Sequence, residues 1–504
     1  MTGALRRPRA ALALEARTHT RQGTAVAVAA LALVWAAVVL ALPEAPGRTV
    51  AGLLLFLDTA GFGVLFVAVL MLGERTSGAW AALAVSPLGA GEYLAARLVA
   101  FTVLGAVAAV PITAAARPVG GLAGAVVAVA GTALLAALLC AVSVAACASA
   151  RNLADLMVAV PLCLGPLLAP PLLVAVGVAD HPLLYAVPTT AAHTVVRWGL
   201  DPGAVSLSGT AVPALAAVAA LATAGACLWA RRALVRARTV EGARPPWSRA
   251  RGDARRARGP RARGRPARVL AWADLRGAAS DGMVWALLAG PVVVALGLRA
   301  GLPLVSRVPL LAGADVAAWR PVLLAALVLL HVPMMAGSVV ALRAVEDRER
   351  GTLALWAASP LGTGAYLTCR AAAAAGLTAV QLAVALPLSG LVDGGARSVV
   401  GAVPAAGLLA AALALAVVAT ARDRVRALVV LKGAGVLFVL APVAVWVLPQ
   451  PWAWSLLPLP VTWPLAALPA YGLAPAVPGG LCATAAGVLL VAGAWRWARA
   501  AVDG

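Results

Sequence analysis

The sequence predicts an all-α polytopic membrane protein of about 12 transmembrane helices, built as two parallel six-helix repeats. Three observations carry that prediction. Of 504 residues, 63% are hydrophobic and 12% charged, about half the charged share of an ordinary soluble domain. Runs of about 20 apolar residues recur, each long enough to cross a hydrocarbon core of about 30 Å as a helix. One polar segment between two such runs nearly recurs: "ERTSGAWAALAVSPLGAGEYLAAR" (Glu74–Arg97) and "DRERGTLALWAASPLGTGAYLTCR" (Asp347–Arg370) align without a gap, 273 residues apart, with 12 identities in 24 positions.

In order, spans are expected near 23–43, 50–72, 98–116, 119–147, 156–178 and 207–230, then near 283–303, 321–342, 371–391, 399–419, 428–448 and 476–497. The chain divides into a first six-span domain (1–230) with a lead-in helix, a basic linker (231–266) and a second six-span domain (267–504). From Arg231 to Arg276 there are 15 Arg against three acids, Glu241, Asp253 and Asp274. With scattered Pro and Gly and no apolar period, the linker is expected to be disordered. It could also meet anionic lipid headgroups.

Net charge is +21 with a pI near 11.5, a balance shared with nucleic-acid binders. Its placement argues otherwise. With the N-terminus inside, 33 Lys and Arg fall on cytoplasmic segments and 7 on outer ones (Arg48, Arg117, Arg197, Arg299, Arg307, Arg320 and Arg397). This is the positive-inside bias. It predicts a cell-membrane protein with both termini cytoplasmic and no nucleic-acid partner. Glu15, Arg17 and Arg21 break any short apolar core near the N-terminus, so the opening is read as an amphipathic lead-in rather than a cleaved signal.

Other landmarks repeat in step. "EAR" from Glu15 matches "DLR" from Asp274, and "ASAR" from Ala148 matches "ATAR" from Ala419. After each fifth span comes a Pro-rich segment bearing Trp and Tyr, from His181 and from Trp454, suited to an interfacial or re-entrant element. With six spans per half, both repeated loops fall on the cytoplasmic side between spans two and three. Gly78 and Gly351 are expected to let the chain leave span two, and "AWAALAV" and "TLALWAA" to form short apolar-faced helices. Ser86-Pro87 and Ser359-Pro360 are read as N-cap and first helical residue of the next helix. A helix–turn–helix of this size is a docking surface rather than a minimal turn.

This loop resembles that of the ABC-2-type permeases, the membrane subunits of bacterial ATP-binding-cassette exporters. Their six-span domains carry Glu-x-Gly-Thr-Leu followed by a Ser/Thr-Pro-Leu turn. The second half matches at Glu349, Gly351, Thr352, Leu353, Ser359 and Pro360. The first keeps Gly78, Ser86, Pro87 and Leu88, with Thr76 and Ala79 where the family has Glu and Thr. The resemblance implies an exporter permease with both membrane halves in one chain. It also implies coupling loops at Glu74, Arg75, Gly78, Ser86 and Pro87 and at Asp347, Arg348, Glu349, Gly351, Thr352, Ser359 and Pro360. Each would meet a separate ATPase subunit, giving two ATPases per chain, with ATP and Mg held by that partner. The single lysine, Lys432, precedes Gly433 and cannot serve a P-loop, so no catalytic or cofactor-binding residue is expected here.

The rival reading is a secondary transporter of the major-facilitator kind, driven by an ion gradient. Asp347-Arg348 and Gly351 resemble part of its loop signature, but the first half has no counterpart. Six cysteines (140, 147, 163, 227, 369, 482) and four histidines lack metal-ligand spacing, so neither a disulfide nor a metal site is expected. Asp58 in span two and His331 in span eight are also 273 apart. Ionisable groups at membrane depth are costly, and the pair is the candidate substrate route for a small-molecule or lipid-like cargo.

Overall fold

The computed structural model describes residues 6–21, 24–76, 80, 82, 86–148, 153–175, 180–242, 282–305, 319–393, 395–473 and 476–503. Among them there is no strand, as an apolar chain that must satisfy every backbone group within lipid requires. The chain falls into two units, Met1–Arg261 and Ala262–Gly504.

Unit 1 opens with the lead-in helix α1 (Arg6–Arg21), followed by α2 (Thr24–Leu40), α3 (Glu44–Thr76), α4 (Ala90–Ala116), α5 (Gly121–Cys147) and α6 (Leu153–Ala175). Two short helices, α7 (Pro182–Tyr185) and α8 (Pro188–Leu200), precede the long α9 (Ala211–Gly242). Unit 2 repeats the order with α10 (Gly282–Val305), α11 (Arg320–Leu324) continuing through a π-turn (Ala325–Leu329) into α12 (His331–Glu349), then the short α13 (Thr352–Ala358). There follow α14 (Gly362–Ser389), α15 (Ala396–Thr420), α16 (Arg424–Val447), the short α17 (Gln450–Trp454), 3₁₀ turns over Pro460–Ala467 and Pro469–Tyr471, and α18 (Ala476–Asp503). Every expected span coincides with a helix. Eight helices are long and apolar enough, among the described residues, to cross a membrane. A ninth arises if α1 and α2, bent by 67°, form one broken span. Helices α3, α6 and α10 do not reach that test on their described residues.

The fourth long helix is the centre of each unit. In unit 1, α5 packs on α3, α4, α8 and α9. It is buried almost without interruption from Leu135 to Cys147. In unit 2, α15 packs on α12, α14, α16, α18 and the 460–467 turn, and is buried along most of Ala405–Val418. Small residues permit this closeness. A Cβ on Gly199 of α8 would lie 2.5 Å from the Ala128 backbone nitrogen, and one on Gly480 of α18 would lie 2.6 Å from the Gly401 Cα. The Pro-rich segments therefore turn inward: Thr189–Val196 and Pro464–Ala467 are buried within their units.

Two local expectations change. Residues 231–242, read as the start of a disordered linker, continue α9 as helix. "RRALVRARTV" is rich in strong helix formers, and Leu234 is fully buried. The rest of the linker lies outside the described residues. The Ser-Pro pairs do not cap the following helices, which begin at Ala90 and Gly362. Ser359 instead ends α13, its hydroxyl donating to the Trp356 carbonyl (2.7 Å) and accepting from the Leu361 N–H (3.2 Å). The Ser86 hydroxyl likewise accepts from the Leu88 N–H (3.3 Å). Gly362 then takes φ +67°, a left-handed turn that glycine adopts without strain. In unit 1 the Glu92 carboxylate reaches back to the Gly89 N–H (2.8 Å), satisfying a helix-start donor.

Candidate coupling site at the repeated loop

The repeated loop is held in both units by an acid, a tyrosine and an arginine at equivalent positions. In unit 1, Glu74 ends α3 while Tyr93 and Arg97 lie four residues apart on one face of α4. Tyr93 donates to the Glu74 carboxylate (2.6 Å), Arg97 donates to the Tyr93 oxygen (2.5 Å), and the Arg97 guanidinium bridges to Glu74. The guanidinium carbon also sits 4.7 Å from the Tyr93 ring centroid. In unit 2, Asp347 near the end of α12 accepts from Tyr366 (2.6 Å) and Arg370 (3.0 Å) of α14. The Arg370 guanidinium lies 5.0 Å from the Tyr366 ring centroid. Arg97 and Tyr366 are essentially inaccessible. A charge so buried persists only when paired and hydrogen-bonded.

Further contacts among the described residues build on each cluster. In unit 1 the lead-in helix supplies a second acid: Glu15 lies 3.0 Å from the Arg97 guanidinium. Burial raises the Glu15 carboxyl above its usual pKa, with Arg97 working against it. One turn on, His19 packs against Phe66 and Phe101. Burial first and Arg97 second lower its pKa to about 4. In unit 2 the free side of Asp347 orders the loop itself, since its other carboxylate oxygen accepts from the Thr352 hydroxyl (3.1 Å), which also reaches the Asp347 carbonyl (2.9 Å). Gly351 makes the sharp exit from α12 at φ +73°.

The α13 helix is thereby pinned on one face and presented on the other. Leu353 is buried against Tyr366, Leu367 and Ala498, while Leu355 is 70% exposed between Ala354 and Ala357. The same register holds in unit 1, where Trp80, aligned with Leu353, is buried edge-on to Tyr93 and Ala82, aligned with Leu355, is exposed. The last helix of each unit braces its loop. Arg238 of α9 donates to the Leu88 carbonyl (2.9 Å). Arg348 donates to the Val418 and Ala421 carbonyls (3.0 and 2.9 Å) and to Ala501 of α18 (3.3 Å).

The structure thus sorts the sequence-predicted loop residues. Glu74 and Asp347 are anchors within the fold. Glu349 accepts from both the backbone and the side chain of Arg424 (2.8 and 2.6 Å), tying the loop to the start of α16. Ser86, Ser359 and Thr352 form turns, Pro87 and Pro360 are exposed, and Arg348 clamps helix ends. The side chain of Arg75, and Gly78 altogether, lie outside the described residues. Sequence reasoning assigned no role to Tyr93, Arg97, Tyr366 or Arg370. Their identity between halves at a four-residue spacing was the available signal.

Asp58 stands 14 residues into α3, about 21 Å along its axis, half-buried beside a cavity of about 20 Å³. His331 is exposed at the first residue of α12, immediately after the π-turn, a feature common at functional sites.

Comparison with known proteins agrees with this arrangement unit by unit. Residues 6–239 match the fluoroquinolones export permease protein family, and residues 274–498 match the fluoroquinolones export permease protein Rv2686c-like family. The chain belongs to the ABC-2-type permeases. This permease is 26% identical over 177 residues to the fluoroquinolones export permease protein Rv2686c of Mycobacterium tuberculosis H37Rv, a stretch covering 34% of the chain and 69% of the relative. The fluoroquinolones export permease protein MT2760 of Mycobacterium tuberculosis CDC 1551 matches with the same figures. No solved structure matches the permease.

Proposed function

We propose that this chain supplies both membrane halves of an ATP-binding-cassette exporter, with ATP and Mg bound by a separate subunit that docks once on each repeated loop. The observation that carries the reading is the twice-built loop. In each unit the loop has one buried residue (Trp80, Leu353) and an outward residue two positions on (Ala82, Leu355), beside a buried acid–Tyr–Arg anchor, and in unit 2 these lie on the short helix α13. Exposed apolar surface ringed by polar groups suits a protein partner. The anchor joins the ends of the second and third long helices, so displacement of the loop is delivered to those helices directly. Closure of an ATPase pair would move the loops and switch the permease between two states. In this reading the loops and both termini are cytoplasmic and the cargo is an amphipathic organic molecule, as the names of the relatives suggest for those proteins.

Co-expression with a cognate ATPase tests it. The permease should retain the ATPase through purification, and cargo uptake into inverted vesicles should require ATP after ion gradients are collapsed. Uptake driven by an ion gradient with no ATPase present would replace this reading with a secondary transporter.

A further inference from the structure

The lead-in helix α1 turns away from α2 by 67° and packs on α4. The stripe it buries is Ala11, Glu15 and His19, residues four apart on one helix face. Its two leucines, Leu12 and Leu14, are exposed. What holds α1 is the aromatic packing of His19 and the ion pair of Glu15 with Arg97, whose Nε donates to the Glu15 Oε1 (3.1 Å). A buried ion pair is a poor source of net stability, and its best-attested uses are to fix a register or to work a switch. The same guanidinium also donates to Glu74 at the end of α3, so one cation is shared by carboxylates on two helices. Glu15 meets it through one oxygen. Its Oε2 is buried, makes no hydrogen bond among the described residues, and stands 3.8 Å from the His19 Nε2. A guanidinium can donate to both oxygens of one carboxylate as a fork. Glu15 can therefore take a larger share of Arg97 than it holds in this arrangement.

We propose that Glu15 is a positioning residue of the transport cycle: when the unit 1 loop carries Glu74 away from α4, Arg97 passes to both oxygens of Glu15, and the lead-in helix keeps α4 paired. The inference rests on the reading that an ATPase moves the loop, and it adds α1 to the moving parts. Parting α3 from α4 with a single acid in the cluster would leave a buried guanidinium unpaired, which is strongly unfavourable. The second acid removes that barrier and gives the cluster two discrete arrangements, as a switch requires. Two carboxylates drawing on one cation also compete, since each repels the other. Neutralising Glu74 should therefore tighten the hold of α1 on α4, and neutralising Glu15 should loosen it. Asp274, which the sequence sets before unit 2 as Glu15 is set before the first span, lies outside the described residues.

Hydrogen exchange along α1, read by mass spectrometry on the full chain in nanodiscs, tests this in two steps. Without ATPase, Glu74→Gln should slow α1 exchange by about threefold or more, and Glu15→Gln should speed it by about tenfold or more, with Glu15→Asp within about twofold of the parent. A merely structural cluster loosens when either acid is lost, so faster exchange in both neutral variants overturns the proposal. If Glu15→Gln does not fold, unchanged or faster exchange in Glu74→Gln overturns it by itself. With the ATPase bound, the non-hydrolysable nucleotide AMP-PNP should slow α1 exchange by about threefold or more in the parent and in Glu15→Asp, and not in Glu15→Gln. Protection of the loop by the ATPase with no response of α1 to AMP-PNP overturns the proposal and leaves the export reading standing. Opposite shifts from the two neutral variants in a chain that retains no ATPase would sink the export reading and not the competition for Arg97.

Discussion

Replacing Arg97 with Met keeps most of its volume and removes the cation that pairs with both Glu15 and Glu74. The Arg97 side chain is 1% exposed, and those of its two carboxylate partners are 9% and 22% exposed. Removing one member of a buried ion pair costs about 3–5 kcal/mol because the remaining charge stays buried. Here two carboxylates are left facing each other. At about 2–4 °C per kcal/mol for a unit of this size, unit 1 should melt about 6–20 °C lower. Arg370→Met strands Asp347, which is 24% exposed, so it too should destabilise, by at least roughly the 1–3 kcal/mol of an unsatisfied polar group. Thermal unfolding of both variants in nanodiscs, followed by size exclusion, gives the comparison. Neutralising the stranded acids tests the cause: Glu15→Gln and Glu74→Gln added to Arg97→Met should recover much of the loss. A triple variant no more stable than Arg97→Met, or an Arg370→Met that melts with the parent, refutes the charge argument.

Four further outcomes are expected. Gly199→Val should destabilise unit 1 by about 1–3 kcal/mol through overpacking against α5, whereas Gly376→Ala, with nothing within 4 Å of its would-be Cβ, should be neutral or stabilising by up to about 1 kcal/mol; melting curves separate them. His19 is held neutral by burial with a folded pKa of about 4, below its unfolded value, so stability should be full above pH 6.5 and fall as pH drops toward 4; His19→Gln should flatten that part of the pH–melting profile. Glu349→Gln should loosen the Arg424 contact and lower both melting temperature and ATPase retention, whereas a variant at exposed Leu355, such as Leu355→Asp, should lower retention alone. A cysteine at Gly252 should be shielded from an impermeant thiol reagent in intact cells and one at Gly395 labelled; the reverse pattern overturns the cytoplasmic placement of the loops.

The helices were legible because the apolar runs match their lengths, and the duplication was legible because the loop kept twelve identities. The acid–Tyr–Arg anchor was half legible. Its residues were visible as identities, yet pairing Glu74 with Arg97 needs α3 and α4 to lie side by side, which no local pattern specifies. The same holds for Glu349, whose acidity suggested a partner protein while the fold brings it to Arg424, 75 residues away. The Ser-Pro turns were misread because Ser followed by Pro fits both a helix start and a turn preceding one. Only the positive φ at Gly362 distinguishes the two in unit 2. Asp58 stood out from its surroundings by charge alone, but the cavity beside it is a product of four helices.

The central claim is that the outward face of the repeated loop is where the ATPase sits, and a photo-reactive side chain at Leu355 tests it most directly. Leu355 is 70% exposed next to the anchored Leu353, and Leu122, 82% exposed near the start of α5, is the control. In cells making both proteins, illumination should join the ATPase to the permease from position 355 and not from position 122. Absence of an adduct at 355 when the complex is otherwise intact, or equal adducts at both positions, would contradict the account.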